Sequence, residues 1–342
     1  MSVGKLGLED RGGPAQPLVK VRDLTCHFPV RTAPFRPKKV VRAVDGIGFE
    51  IAKGETMGVV GESGCGKSTC ARLLVGLIEP TGGEIIYDGQ LLGHDLSLRE
   101  LRRGVQMVFQ DSFASLNPRL TIEESIAFGP KVNGVDAREA RKIALDLLER
   151  IGLDPARFAG RYPHELSGGQ RQRVNIGRAL AMRPRLVILD EAVSALDKSV
   201  EAQVLNLLAD LRRDFDLTYM FISHDLNVVR FISDRLMVMY LGEVVEVGPA
   251  ETLYQKQAHP YTAALFSAMP SMDPDARTAT PPLAGDPPNP IDPPSGCRFH
   301  TRCPFAEEVC ASRKPRAITL GEGHQVACHM HDAASGHRKA AA

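Results

Sequence analysis

The alternation of apolar and polar residues changes rhythm along the chain, and those changes divide it. Leu18 to Phe28 alternates with the period of a half-buried strand, and Val40 to Ile51 repeats the pattern. Between them Pro29 to Lys39, with three prolines and four basic residues, reads as a loop. Met57 to Val60 is a short apolar run that stops at a glycine-rich turn, and Lys67 to Leu77 then takes up helical periodicity. Val105 to Phe109 is strand-like. Asp111 to Tyr162 is helical, most clearly over Ala137 to Ile151, where Ile143, Leu147, Leu148 and Ile151 share one face. Leu186 to Leu189, Tyr219 to Ile222 and Leu236 to Tyr240 are apolar runs separated by helix-length segments, the pattern of a parallel sheet buried between helices. The expected fold is α/β.

The rhythm fails over Pro270 to Pro294, whose nine prolines suit a linker or extended arm. Beyond it lies a compact tail too short for a core of its own, which would need a staple. The expected division is a flexible start over 1–17, a main body over 18–250 with a helical insert at about 111–165, and an extension over 251–342.

Charge and composition narrow the partners. The 42 basic and 41 acidic residues leave a formal charge of +1, so no global field favours nucleic acid or an anionic membrane surface. No run approaches the roughly 18 to 20 apolar residues that span a bilayer, and Met1 to Pro17 has no apolar signal core, so a cytosolic chain is expected. Cys26, Cys65 and Cys70 are scattered, whereas Cys297, Cys303, Cys310 and Cys328 crowd the tail with C-x5-C-x6-C-x17-C spacing. In a reducing compartment that quartet favours metal ligation over disulfides. Four thiolates can hold tetrahedral zinc or a cubane cluster, and this spacing does not choose between them.

The sharpest chemistry lies at the turn after Val60. Gly61-Glu62-Ser63-Gly64-Cys65-Gly66-Lys67-Ser68 fits G-x-x-x-x-G-K-[ST], between a strand and a helix. Glycines let backbone N–H groups curl around an anion, and the helix N-terminus adds partial positive charge. Lys67 is expected on the β- and γ-phosphates, the Ser68 hydroxyl on Mg²⁺, and Thr69 near the α- and β-phosphates. Leu186 to Glu191 is a buried strand ending in two carboxylates. Asp190 would serve Mg²⁺ through its water shell, and Glu191 would face the attacking water.

Leu166-Ser167-Gly168-Gly169-Gln170, leading into a helical segment, resembles the signature of ABC ATPases. Ser167, Gly168, Gly169 and Gln170 would present a second helix N-terminus to an anion. The resemblance implies that two cassettes meet head to tail, each signature closing on its partner's ATP. It extends to Gln110 as the Q-loop, also assigned to Mg²⁺ with Ser68 and Asp190, to Ser194-Ala195-Leu196-Asp197 as the D-loop, and to His224 as the switch histidine. Catalysis is thus expected from Glu191, His224 and Gln110. Phe28 stands where the family places an aromatic under adenine, with His27 a weaker candidate. The pattern departs at Ala192-Val193, where most cassettes carry Pro-Thr.

Gln110 to Arg119 and His259-Pro260-Tyr261-Thr262 resemble the dipeptide and oligopeptide importer ATPases, over about Leu18 to Met330. The second segment is expected to start a helix, with Pro260 near its first position, and to act structurally. The resemblance implies a peripheral subunit on the cytoplasmic face of the cell membrane. Its partners would be a second homologous ATPase subunit, two transmembrane permease subunits and an extracytoplasmic substrate-binding protein, with no nucleic acid. ATP and Mg²⁺ are the implied ligands. Some relatives of this type carry a [4Fe-4S] cluster on such a tail, which implies one on Cys297, Cys303, Cys310 and Cys328, with zinc and free thiols as alternatives. Nickel, glutathione or another small solute are alternative cargoes. A chromosome-type or translation ABC ATPase is opposed by the one hundred positions between Lys67 and Ser167 without heptads and by the single cassette.

Overall fold

The computed structural model describes residues 6–8, 10–30, 39–269, 285–321 and 323–340. The first strands, β1 (Val19–Val30) and β2 (Lys39–Ile51), pair antiparallel, and β3 (Thr56–Val60) leads into helix α1 (Lys67–Leu74). Next come β4 (Gly82–Tyr87), β5 (Gln90–Leu91), α2 (Leu98–Gly104) and β6 (Val105–Val108). A helical insert follows: α3 (Ile122–Val132), α4 (Ala137–Arg150), α5 (Pro155–Phe158) and α6 (Gly168–Leu180). The chain returns through β7 (Leu186–Asp190), α7 (Lys198–Phe215), β8 (Thr218–Ile222), α8 (Leu226–Ile232), β9 (Arg235–Tyr240) and β10 (Glu243–Pro249). It ends with α9 (Ala250–Gln255), α10 (Pro260–Ser267), α11 (Glu308–Ser312), β11 (Ala317–Gly321) and β12 (His324–Ala327).

Two sheets result. One is four-stranded and antiparallel, in the order β2-β1-β4-β5. The other has the order β11-β12-β10-β9-β3-β8-β7-β6, and β9, β3, β8, β7 and β6 run parallel. Every residue of β3, β7 and β8 is buried, as expected for parallel strands covered on both faces. Alternation along those strands feeds two cores. Leu186, Ile188, Met220 and Ile222 pack with β1, β2 and α1, while Val187, Leu189, Tyr219 and Phe221 face the helices.

The helical insert follows its caps. Thr121 and Glu124 form a capping box at α3, and the Asp136 side chain caps α4. On α4, Ala140, Ala144, Leu147 and Leu148 form the buried stripe with Ile151 just past its end, and Ile143 is only partly buried at the rim.

The extension is not a free-standing tail. Strand β12 pairs with β10 and β11 with β12, so the tail lengthens the main sheet instead of building its own core. Of the expected proline arm, residues 270–284 lie outside the described residues, as do 31–38 of the expected loop. At the arm's described end, Arg42 N–H donates to Pro290 O across 3.3 Å.

The register brings three strand ends together. Val59 of β3 and Asp190 of β7 both pair with Ile222 of β8. Whatever follows these strands shares the carboxyl edge of the sheet, where open α/β sheets bind ligands.

Candidate functional site

After Val60 the backbone turns through Gly61 (φ 149°), Gly64 (φ 77°) and Gly66 (φ 108°). A Cβ on Gly61 would stand 2.2 Å from Met239 O, and one on Gly66 2.2 Å from Ala43 O, so both positions demand glycine. At Gly64 the same direction meets nothing within 4 Å, and Ser63 and Gly64 are exposed, so the loop opens here to solvent. Lys67 is buried, its Nζ donating to Gly61 O at 2.6 Å and Glu62 O at 2.9 Å. Cys65, Cys26 and Cys70 are buried and their thiols are pushed up by burial, consistent with packed, unreactive side chains.

Ser68 Oγ donates to Asp190 Oδ1 at 2.9 Å, joining the start of α1 to the end of β7. Thr69 follows on α1, partly buried. Burial raises the Asp190 pKa first, and the neighbouring Glu191 charge adds to the rise against the Ser68 hydrogen bond and the Arg72 and Lys67 charges. Glu191 is held in the left-handed region at φ 50°, which for a non-glycine residue costs about 1–2 kcal/mol. Its N–H donates to Ile222 O at 2.9 Å, fixing the turn on the neighbouring strand.

Gln110 Nε2 donates to Glu191 Oε2 at 2.8 Å. The sequence expectation put Gln110 with the metal ligands, but here its amide lies on the carboxylate, and Ser68 and Asp190 pair with each other. His224 Nδ1 is 3.7 Å from the same Glu191 oxygen, beyond hydrogen-bond length, and its ring is exposed. The strand ends therefore assemble Lys67, Ser68, Asp190, Glu191, Gln110 and His224.

The other residues that the sequence assigns to nucleotide stand apart from that cluster. Ser167 caps α6, its hydroxyl accepting from Gln170 N–H while Gln170 Oε1 accepts from Ser167 N–H. A Cβ on Gly169 would meet Val200 Cγ1 at 2.3 Å, so a side chain here would have to displace Val200 of α7, whereas Gly168 has ordinary space. Ser167 is exposed, and no hydrogen bond among the described residues joins it to the phosphate loop. Phe28, 40% exposed, faces Val41 across the β1–β2 pair, and that pair also carries the Ala43 carbonyl behind Gly66. His27 is bonded to Asp45 at 2.7 Å.

The segment His259 to Thr262 does start a helix. Pro260 is the first residue of α10, and His259 Nδ1 accepts from Tyr261 N–H at 3.0 Å. Its neighbour carries a contact that the sequence did not reveal: Glu62 N–H donates to Tyr261 Oη at 2.9 Å. Arg302, between the first two tail cysteines, grips the Glu62 carboxylate at 2.9 and 3.1 Å. Both contacts span about two hundred positions or more, beyond the reach of any local motif.

The four tail thiols share one neighbourhood. Burial lifts Cys297 to about 12 and Cys328 to about 11, and nearby thiols add to each rise. Backbone N–H groups of Phe299, Phe305 and Met330 oppose the rise at Cys297, Cys303 and Cys328 respectively. Even so, no group of three or more His, Cys, Asp or Glu side chains among the described residues is arranged to hold a metal ion. The expected iron–sulfur ligand set gains no support from this arrangement.

Comparison with known proteins places these features in context. A family described as ABC transporter matches residues 44–194, and one described as oligopeptide/dipeptide transporter, C-terminal region, matches residues 245–310. A probable peptide ABC transporter ATP-binding protein of Sinorhizobium fredii is 49% identical over 318 residues, covering 92% of this chain and 90% of the relative. The oligopeptide transport ATP-binding protein AppF of Bacillus subtilis is 47% identical over 321 residues, covering 92% and 97%. Among solved structures, cbiO1 of Clostridium perfringens, part of the ABC transporter complex cbiONQ, superposes with a TM-score of 0.61 at 26% identity, covering 73% of this chain and 95% of that one. The ATP-binding cassette MJ0796, dimeric and bound to ADP and phosphate after hydrolysis, gives 0.59 at 31% identity, covering 68% and 98%.

Proposed function

Since the chain belongs to the peptide-transporter ATP-binding proteins of the ABC family, we propose that the site at its strand ends hydrolyses ATP to drive uptake of dipeptides or oligopeptides. The observation that carries this reading is the Ser68–Asp190 hydrogen bond beside the buried Lys67. It sets a hydroxyl, a carboxylate and an ammonium where a phosphate loop opens to solvent.

The donor set fits Mg²⁺, a hard cation that takes oxygen ligands and keeps much of its water. Ser68 and Asp190 would hold it, with the amide oxygen of Gln110, opposite the nitrogen that meets Glu191, as the third expected ligand, and when bound it neutralises phosphate charge. Backbone N–H groups from Ser63 to Thr69 and the Lys67 ammonium bind the phosphates, and Phe28 stacks on adenine. Glu191 orients the water and accepts its proton as the water oxygen attacks the γ-phosphorus and the bond to the β-phosphate oxygen breaks. His224 steadies the γ-phosphate end, and Gln110 fixes the Glu191 carboxylate. In the assembled dimer, Ser167, Gly168, Gly169 and Gln170 cover the partner cassette's nucleotide.

No helix among the described residues is long and apolar enough to cross a membrane. Transport therefore calls for partners: a second ATPase subunit and two permeases, fed by a substrate-binding protein on the far side. The chain would work at the cytoplasmic face, dividing into the cassette over 18–250 and the extension over 251–342. A permease helix would dock in the groove lined by Leu77, Phe109 and Phe128, next to Gln110, where Leu77 and Phe128 are exposed.

The finer reading of a [4Fe-4S] cluster on Cys297, Cys303, Cys310 and Cys328 rests on the cysteine quartet in the sequence and on the resemblance to peptide-importer ATPases, not on the arrangement of the thiols. Anaerobic purification with iron and acid-labile sulfide analysis tests it, and colourless protein with stoichiometric zinc overturns it. The main reading is tested by deleting the gene and following uptake of labelled dipeptides. Restoration by the wild-type chain and not by Lys67→Ala supports it, and unchanged uptake in the deletion strain overturns peptide as the cargo.

A further inference from the structure

Glu62 is the second residue of the phosphate loop, and all three of its polar groups are engaged. Its carbonyl accepts from Lys67 Nζ at 2.9 Å, inside the loop. Its N–H donates to Tyr261 Oη at 2.9 Å, and its carboxylate receives the Arg302 guanidinium in a two-pronged bond. Arg302 is 6% exposed and Glu62 21% at the side chain, so the pair is shielded from most screening.

The residues that grip Glu62 are themselves fixed. The Tyr261 ring lies 4.6 Å from that of Tyr240 and 5.4 Å from that of Phe299, and Tyr240 meets Phe299 edge-on at 5.4 Å. Arg302 also lies 6.0 Å from the Tyr240 ring centroid and donates to Gly285 O at 3.0 Å. Phe299 and Arg302 both fall between Cys297 and Cys303. The extension therefore reaches the ATP site as a packed aromatic and guanidinium clamp on the outer side of the loop whose inner side holds Lys67.

We propose that Arg302 and Tyr261 are positioning residues for nucleotide binding, holding the phosphate loop through Glu62 so that Lys67 and the loop amides meet ATP preorganised. This rests on the ATP-site reading above and adds a role for the extension in it. The extension thereby sets the affinity of a phosphate loop that lies outside it in the sequence.

The test is the dissociation constant of a fluorescent ATP analogue with Mg²⁺, measured on the full-length chain for wild type, Arg302→Met, Arg302→Lys, Tyr261→Phe and Glu62→Gln. Arg302→Met and Glu62→Gln should each weaken binding by about three- to tenfold, the scale of one ordinary net hydrogen bond, since the link acts on the phosphates only through the loop. The double variant should be no weaker than the worse single one, because both remove the same link. Arg302→Lys should recover part of the loss, and Tyr261→Phe should weaken binding in the same direction. In the assembled transporter the KM for ATP should rise while kcat at saturating ATP stays within about twofold. Wild-type affinity in Arg302→Met, or independent addition of the Arg302 and Glu62 effects, would overturn the inference. Should Arg302→Met fail to fold, the near-isosteric Glu62→Gln decides from the loop side. A wild-type chain that binds no nucleotide would instead sink the ATP-site reading itself.

Discussion

The amide of Gln110, two residues past β6, donates to the carboxylate of Glu191, the residue after β7, across 2.8 Å and 81 positions of chain. Glu191 is thereby constrained twice, by its left-handed backbone and by a neighbour-strand amide on its side chain. A carboxylate that must orient one water molecule gains from such restraint, since misplacement of about 1 Å can cost on the order of a hundredfold in rate.

Gln110→Ala is therefore expected to lower kcat by about ten- to a hundredfold. Gln110→Glu should lower it further, because it sets a second carboxylate against Glu191 where an amide donor stood. Steady-state ATPase assays of the assembled transporter check the order of the two variants.

Glycine substitutions in the phosphate loop should separate by position. Gly61→Ala and Gly66→Ala push a methyl into backbone carbonyls at 2.2 Å and should abolish nucleotide binding or folding. Gly64→Ala meets open space and carries only the strain of φ 77°, about 1–2 kcal/mol. Thermal melts with and without ATP distinguish these outcomes.

Asp190 should show opposed effects on stability and activity. Burial and the adjacent Glu191 disfavour its charged form, so Asp190→Asn should raise Tm in EDTA at neutral pH. The asparagine oxygen can still accept from Ser68. Mg²⁺-dependent hydrolysis should fall by at least about a hundredfold, as expected on removing a charged metal ligand. A lower Tm for this variant would contradict the account of a strained carboxylate.

The extension should be acid-sensitive through His259. Burial holds its pKa down to about 3 against an ordinary 6.5, with the nearby His331 adding to the effect. The folded value lies below the unfolded one, so the stability from a neutral ring is complete above pH 6.5. It is lost as pH falls from 6.5 towards about 3, because the unfolded chain takes up a proton that the folded chain refuses. His259→Asn, which can still cap α10, should start less stable but lose less between pH 7 and pH 5 than wild type does; chemical denaturation at those two pH values measures the difference.

Much of the nucleotide site is legible in the sequence because its parts are local. The Gly61 to Ser68 loop and the Asp190-Glu191 pair each lie within a few residues of a buried strand, and the parallel register aligns the strand ends. What sequence could not give is how those segments touch one another. The Gln110–Glu191 bond is one such contact, and the Arg302 and Tyr261 grip on Glu62 is another. The pairing of β12 with β10 also escaped, because β11 is largely exposed and neither strand has the apolar run that marks the central strands. The departure at Ala192-Val193 was visible, yet nothing local announced that Glu191 would adopt φ 50°.

Whether hydrolysis at Glu191 drives peptide uptake is tested in proteoliposomes containing the assembled transporter and its binding protein. With labelled oligopeptide outside and ATP at the chain's face, wild type should show peptide-stimulated ATPase activity and accumulate peptide. Glu191→Gln should retain ATP and lose about a hundred- to ten-thousandfold in hydrolysis, and peptide accumulation should stop with it. Wild-type turnover in Glu191→Gln, or peptide accumulation that continues without hydrolysis, would contradict the account.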